Sequence, residues 1–290
     1  MVDFENIKND FRSYNFLVEF YRQNKDKSYQ TIDISFGKVS FIAANTCSII
    51  GAIFQKLQNS FNEIRLFHFN NDKVKKTLQR NGFLSFFGFP RISDNYHSTM
   101  QYLKLFPNHS RFFSEYIREE LMGKKELPGM SNRLKKKITE GIYEIFINAA
   151  MHSKTNEGIF TCGQFFNVER KIEFTITDLG IGMRNSVGQY LRTAISAVDA
   201  IEWAMQEGHS TKPNDSGGLG LAILKNFITL NKGTIQVISN NGFWELSTAG
   251  IDKRTFNSEF PGTAVNICIK TDDPMKYVLS DEIIADEDVF

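Results

Sequence analysis

Three short runs of this chain carry residue types whose spacing could do chemistry. In the first, Glu144 and Asn148 stand four residues apart, with His152 four further on, so that on a helix all three share one face. A carboxylate one turn from an amide can orient a nucleophile beside a metal ion. The second run is Asp178-Leu-Gly180-Ile-Gly182, after the strand-like Thr175-Ile-Thr177. Its glycines permit a turn at positive φ with no Cβ in the way of a flat ring, and the Asp can accept a hydrogen bond from an exocyclic amine. The third, Ser216-Gly217-Gly218-Leu219-Gly220-Leu221, precedes an apolar run ending at Ile228. Backbone NH groups at such a helix start are natural donors to phosphate. Singly, each run has a plainer reading: a polar pair bonded to neighbouring backbone, a turn, a glycine loop.

The elements that must position these residues follow from periodicity. A helix capped by Ser131 runs to Met151, with Leu134, Ile138, Ile142, Ile145 and Ala149 as its core stripe and Glu144, Asn148 and His152 beside it. Phe146, Ile147 and Ala150 make most of the remaining surface apolar. The polar stripe therefore sits on a mostly buried helix and needs partners, which a ligand and its metal would supply. Strands are expected at 159–166, 171–177, 233–239, 243–248 and 263–270, and helices at 110–122, 193–207 and 219–230. Helices followed by an antiparallel run of strands indicate an α+β sandwich.

Upstream, residues 4–24 read as one amphipathic helix, followed by a strand at 32–37, a helix at 46–57, a strand at 64–69 and a helix from Asp72, taken as its cap, to Arg80. That order predicts a small α/β layer with sequential crossovers. Residues 83–108, with Pro90 and Pro107, read as irregular. The expected domains are 1–107, with a connector from about 83, then 108–271, then an acidic tail at 272–290 that is solvated or loosely packed.

Composition narrows the class. The chain of 290 residues has net charge +1, which gives no clear nucleic-acid signal and no pull toward an anionic membrane. The run Lys135-Lys136-Lys137 reads as a solvated helix face or a docking patch. Cys47, Cys162 and Cys268 are scattered, with no Cys-x-x-Cys spacing, which fits a reducing cytoplasmic compartment and argues against a zinc site. The acidic, polar start is not a signal peptide, and no apolar stretch is long enough to span a membrane.

Taken together, Glu-x-x-x-Asn, Asp-x-Gly-x-Gly and Gly-x-Gly in this order resemble the ATP-binding fold of the GHKL superfamily, shared by gyrase, the ninety-kilodalton heat-shock chaperone, histidine kinases and mismatch-repair ATPases. Pro261-Gly262-Thr263 before a final strand resembles that family's glycine–threonine element. The resemblance covers roughly residues 110–270. It implies a Bergerat-type α/β sandwich with a mixed sheet, and ATP and Mg2+ as ligands. It also implies roles: Asn148 as the magnesium ligand, Asp178 as the adenine reader, Gly180 and Gly182 at the base, and Thr263 in the water network beneath it. Gly217, Gly218 and Gly220, with Leu219 and Leu221, would hold phosphates at the end of a lid spanning 183–216. Lys212, near the end of that lid, would touch the γ-phosphate or lie in solvent. Glu144 falls at the catalytic carboxylate of the ATPase branches and of anti-sigma-factor kinases, where it would orient water or a substrate hydroxyl. His152 would pack under the site or meet a phosphate.

The stretch from Ile34 to Leu57 resembles the STAS fold of anti-sigma-factor antagonists. In those proteins a phosphorylatable Ser opens the helix, whereas this chain has Asn45 there, with Thr46 and Ser48 nearby. A sensor histidine kinase is disfavoured, because His68, His97 and His109 lack the Glu and Pro expected after a phosphoacceptor. The residues after Thr263 leave too little for a gyrase-type transducer domain. Two function classes are expected: a regulatory ATPase or anti-sigma-type protein kinase, or an ATP-gated adaptor with little turnover. A protein partner and a homodimer are each compatible with either.

Overall fold

The structure, a computed structural model, describes residues 1–152, 157–209 and 219–282. A short strand β1 (Val2–Asp3) pairs parallel with β2 (Thr31–Ser35), which pairs parallel with β3 (Glu63–Phe67). Helix α1 (Phe11–Asn24) connects the first two strands and α2 (Cys47–Gln58) the next two; α3 (Asp72–Arg80) follows. The helix expected from residue 4 starts only at Phe11, because the Asp10 carboxylate accepts from the Ser13 NH at 2.8 Å and fixes the start there. The apolar residues before it serve extended backbone instead: Phe4 NH donates to the Ser35 carbonyl, and Ile7 bridges Ile42. The cap of α3 is Asn71, whose side chain accepts from the Lys73 and Val74 NH groups, not Asp72.

Residues 83–108, read as irregular, contain a turn of 3-10 helix at Phe83–Phe87 and a strand, β4 (Thr99–Leu105). Helix α4 (Ser110–Tyr116) runs on into a π turn ending at Leu121, then β5 (Gly129–Met130) leads into α5 (Asn132–His152). After it come β6 (Ile159–Phe166), β7 (Lys171–Asp178), α6 (Met183–Leu191), α7 (Ala197–Ala204) and α8 (Leu219–Leu230). The chain finishes with β8 (Thr234–Ser247), β9 (Gly250–Lys270) and β10 (Lys276–Tyr277). β8 and β9 form one long hairpin, including residues 249–262 that the sequence pattern left unassigned.

The result is α+β. Five strands form the large sheet in the order β4-β6-β7-β9-β8, and every neighbouring pair is antiparallel. The expected mixed sheet is therefore corrected: β6–β7 and β8–β9 are hairpins, and the intervening helices return the chain so that β4 and β9 also oppose their neighbours. The parallel ladder lies in the small sheet.

Both faces of the large sheet are covered. Alternation along β7 sends Ile172, Phe174 and Ile176 to the face packed by α4, α5 and α8. The opposite face receives the N-terminal layer, whose core continues into Phe160, Cys162, Ile238 and Phe260. Helix α2 is buried on all sides from Cys47 to Phe54, as a helix wedged between two sheets must be. The segment expected to be a loose tail is partly docked: β10 pairs with β5, Ser131 Oγ donates to Glu282 at 2.7 Å, and Arg133 pairs with Asp281 at 2.6 Å. No helix among the described residues is long and apolar enough to cross a membrane.

Candidate functional site

An open cleft lies between α5 on one side and α6 and α7 on the other, with β7 and β9 as its floor. Glu144 and Asn148 line it from α5. The core stripe of that helix, Leu134 through Ala149, is buried, which turns the adjoining stripe toward the cleft. His152 ends the helix, and its side chain is outside the described residues.

The floor is built by register. Asp178 is paired with Thr263 across β7 and β9, and Ile176 with Val265, so two polar and two apolar side chains present themselves together. Asp178 is almost fully buried, and its Oδ1 accepts from the Gly180 NH at 2.7 Å. Desolvation pushes its carboxyl up to about 7, against hydrogen bonds from the Gly180 and Thr263 backbone NH groups that pull the other way. A desolvated carboxyl at the bottom of a cleft is poised to accept from a ligand amine.

The turn after Asp178 is set by Gly182, at φ 77°, where a Cβ would stand 2.3 Å from the Asn240 side-chain oxygen. Two β8 residues that sequence reasoning passed over hold this turn. Ser239 Oγ accepts from the Met183 NH at 2.8 Å and lies 2.9 Å from Thr263 Oγ1; Asn240 Oδ1 accepts from the Arg184 NH at 3.1 Å. Neither stands out in sequence, since their role arises only from the pairing of β8 with β9. Trp203 and His209, which supply the aromatic rings of the cleft, were also missed.

Of the expected phosphate-binding residues, Leu221 lines the cleft. Gly220 makes the close crossing of α8 with α5, where its Cα side faces the Gly141 backbone. Leu219 opens α8, while Lys212, Gly217 and Gly218 lie outside the described residues. Gly180 contributes its NH to Asp178 and is not itself a wall of the cleft.

No group of three or more His, Cys, Asp or Glu with metal-holding geometry occurs among the described residues. Magnesium in a nucleotide site takes most of its ligands from phosphates and water, so one amide oxygen is a sufficient protein contribution. Asn148, on the cleft wall one turn from Glu144, has the chemistry for it.

In the N-terminal layer, Asn45, Thr46 and Ser48 are completely buried against the large sheet. The hydroxyl of Ser48 bonds to that of Thr177, and the Asn45 amide reaches Thr175 Oγ1 at 2.9 Å and Asn266 Oδ1 at 3.0 Å. Asn45 and Ser48 form a seam between the layers, Thr46 Oγ1 donates to the Ala43 carbonyl of its own turn at 2.6 Å, and none of the three is an exposed phosphorylation site.

No protein-family model matches the chain, and no curated protein matches it.

Proposed function

We propose that the cleft binds Mg-ATP and that the chain is a regulatory ATP-binding protein of the GHKL superfamily, with its N-terminal layer, STAS-like in its order of elements, as the module that senses or transmits occupancy. The observation that carries this reading is the convergence of Asp178 and Thr263 on the floor with Glu144 and Asn148 on the wall of one cleft. These residues are up to 119 positions apart in sequence and come from β7, β9 and α5.

In this reading Asp178 accepts from the exocyclic amine of adenine, and Thr263 and Ser239 carry the hydrogen bonds beneath the base. Asn148 holds the metal, which supplies charge neutralisation on the phosphates. Glu144 orients the attacking water, or a hydroxyl of a protein substrate, and accepts its proton. Phosphoryl transfer asks chiefly for positioning and charge neutralisation, so one such carboxylate suffices. The reaction is hydrolysis or transfer of the terminal phosphoryl group.

The test is to incubate the whole protein with Mg2+ and γ-labelled ATP, and to measure ATP affinity by calorimetry in parallel. Release of labelled phosphate is expected, with Glu144→Gln lowering turnover by more than about a hundredfold while affinity stays within about threefold. Turnover unchanged in that variant would remove Glu144 from its role, and absence of ATP binding in the wild type would overturn the reading as a whole. A second reading, an ATP-gated adaptor with little turnover, is favoured by the buried polar seam between the cleft's sheet and the N-terminal layer; binding without release of label would select it.

A further inference from the structure

The two tryptophans of this chain sit in different surroundings. Trp244 and the core phenylalanines are buried to within a few percent, whereas Trp203 is half-buried on α7 and faces the cleft. Its ring is held from two sides. His209 stacks on it at 4.6 Å between centroids and 28° between planes, and Tyr190 of α6 meets it at 5.6 Å. The His209 ring is itself tethered, with Nδ1 3.0 Å from the Trp203 carbonyl oxygen. An indole clamped this way loses little freedom when a ligand arrives, which is what a preorganised contact surface requires.

The remaining apolar walls carry no ring; they include Met183 and Val187 from α6, Met205 just past the end of α7 and Leu221 from α8. The polar groups on the floor, Asp178 and Thr263, can read only the edge of a ring. A nucleoside also has flat faces to cover, and Trp203 with His209 supplies the π surfaces that line this cleft among the described residues. Resting on the nucleotide reading above, we propose that Trp203 is a positioning and specificity residue for the adenosine moiety, packing against its base or sugar while His209 and Tyr190 hold the indole in place.

The competing account is that Trp203 merely staples α6 to α7. The two differ in what they predict for substitutions, so the experiment compares Trp203→Phe, which keeps a ring, with Trp203→Leu, which keeps an apolar side chain without one. Affinity for ATP and for adenosine is measured by calorimetry, alongside melting temperature and tryptophan fluorescence. The chain has only two tryptophans, so nucleotide-dependent fluorescence that disappears in Trp203→Phe is assigned to this residue. The expected result is that Trp203→Phe binds within about threefold of wild type, while Trp203→Leu loses about tenfold for ATP and adenosine alike at an unchanged melting temperature. Wild-type affinity in Trp203→Leu would overturn the inference and leave the nucleotide reading standing. A loss seen with ATP but not with adenosine would also overturn it, since the residue would then act through the phosphates. Failure of the wild type to bind either ligand would remove the nucleotide reading, and the inference with it.

Discussion

The Asp178 carboxyl is the group in the cleft whose protonation a ligand should change most. In the unfolded chain it titrates near 3.8, and burial raises it to about 7 in the fold. Between those values the unfolded state releases a proton that the folded state keeps. The residue's contribution to stability is therefore fully present below about pH 4 and is lost as pH rises to about 7. An amine donating to the carboxylate favours the charged form and draws the pKa back down. Binding of an adenine ring then expels a proton near neutrality, so affinity rises with pH. Adenosine is the ligand to use, because it has no phosphate titrating in this range. Its affinity is expected to rise roughly tenfold between pH 6 and pH 8 in the wild type, and to be weaker and flat with pH in Asp178→Asn. Calorimetry across that range decides the matter, and a flat wild-type profile would eliminate the amine–carboxylate contact.

At the level of elements, the site depends on how closely α5 and α8 cross. A Cβ on Gly141 would lie 2.4 Å from the Gly220 carbonyl oxygen, so the two helices touch backbone to backbone at the start of α8, one turn before Glu144 and two before Asn148. Gly141→Ala should force them apart, costing about 1–3 kcal/mol of overpacking against a helix-propensity gain of under about 1 kcal/mol. A melting temperature lower by roughly 2–6 °C is expected, together with weaker ATP binding, because both walls move. An unaltered melting curve would show slack at the crossing. Helix α5 and strand β7 were legible in sequence because their apolar residues keep a clean period of 3.6 and 2. β4 was not, since a register shift between Met100 and Leu103 breaks its alternation. The outer part of β9 was hidden by Pro261 and by the mainly exposed residues 250–255, where the hairpin leaves the sheet. Asp178, Glu144 and Asn148 could be found from local spacing. Ser239, Asn240, Gly141 and Trp203 could not, since what they touch is decided by strand register and helix crossing.

For the molecule as a whole, the cleft and the N-terminal layer sit on opposite faces of one sheet, and two structures connect them. One is the polar seam: Tyr14 donates to Gln236 at 2.9 Å, Asn45 reaches Thr175 and Asn266, and Ser48 meets Thr177, the neighbour of Asp178 on the other face of β7. Buried groups satisfied across such a seam are costly to part, because each would be left without a partner. The other is the far end of the β8–β9 hairpin, which reaches past the sheet. Phe256 stacks on Phe11 of α1 at 4.9 Å, Ser258 donates to Glu19 at 2.7 Å, and on the hairpin's other side Gly242 packs against Ala197 and Ile201 of α7 while Lys253 pairs with Glu202. The helix that carries Trp203 is therefore tied through one hairpin to the first helix of the N-terminal layer. If α7 shifts when nucleotide enters, the hairpin must either move with it or break these contacts. Amide exchange should consequently slow on ATP addition not only in 183–205 but also in 242–257 and in the first turns of α1. Phe11→Ala, which removes a half-buried ring from the stack without touching the cleft, should preserve protection of 183–205 and abolish it in α1. Protection confined to 183–205 in the wild type would mean that the hairpin is a passive brace and that occupancy reaches the N-terminal layer, if at all, through β7 and the seam.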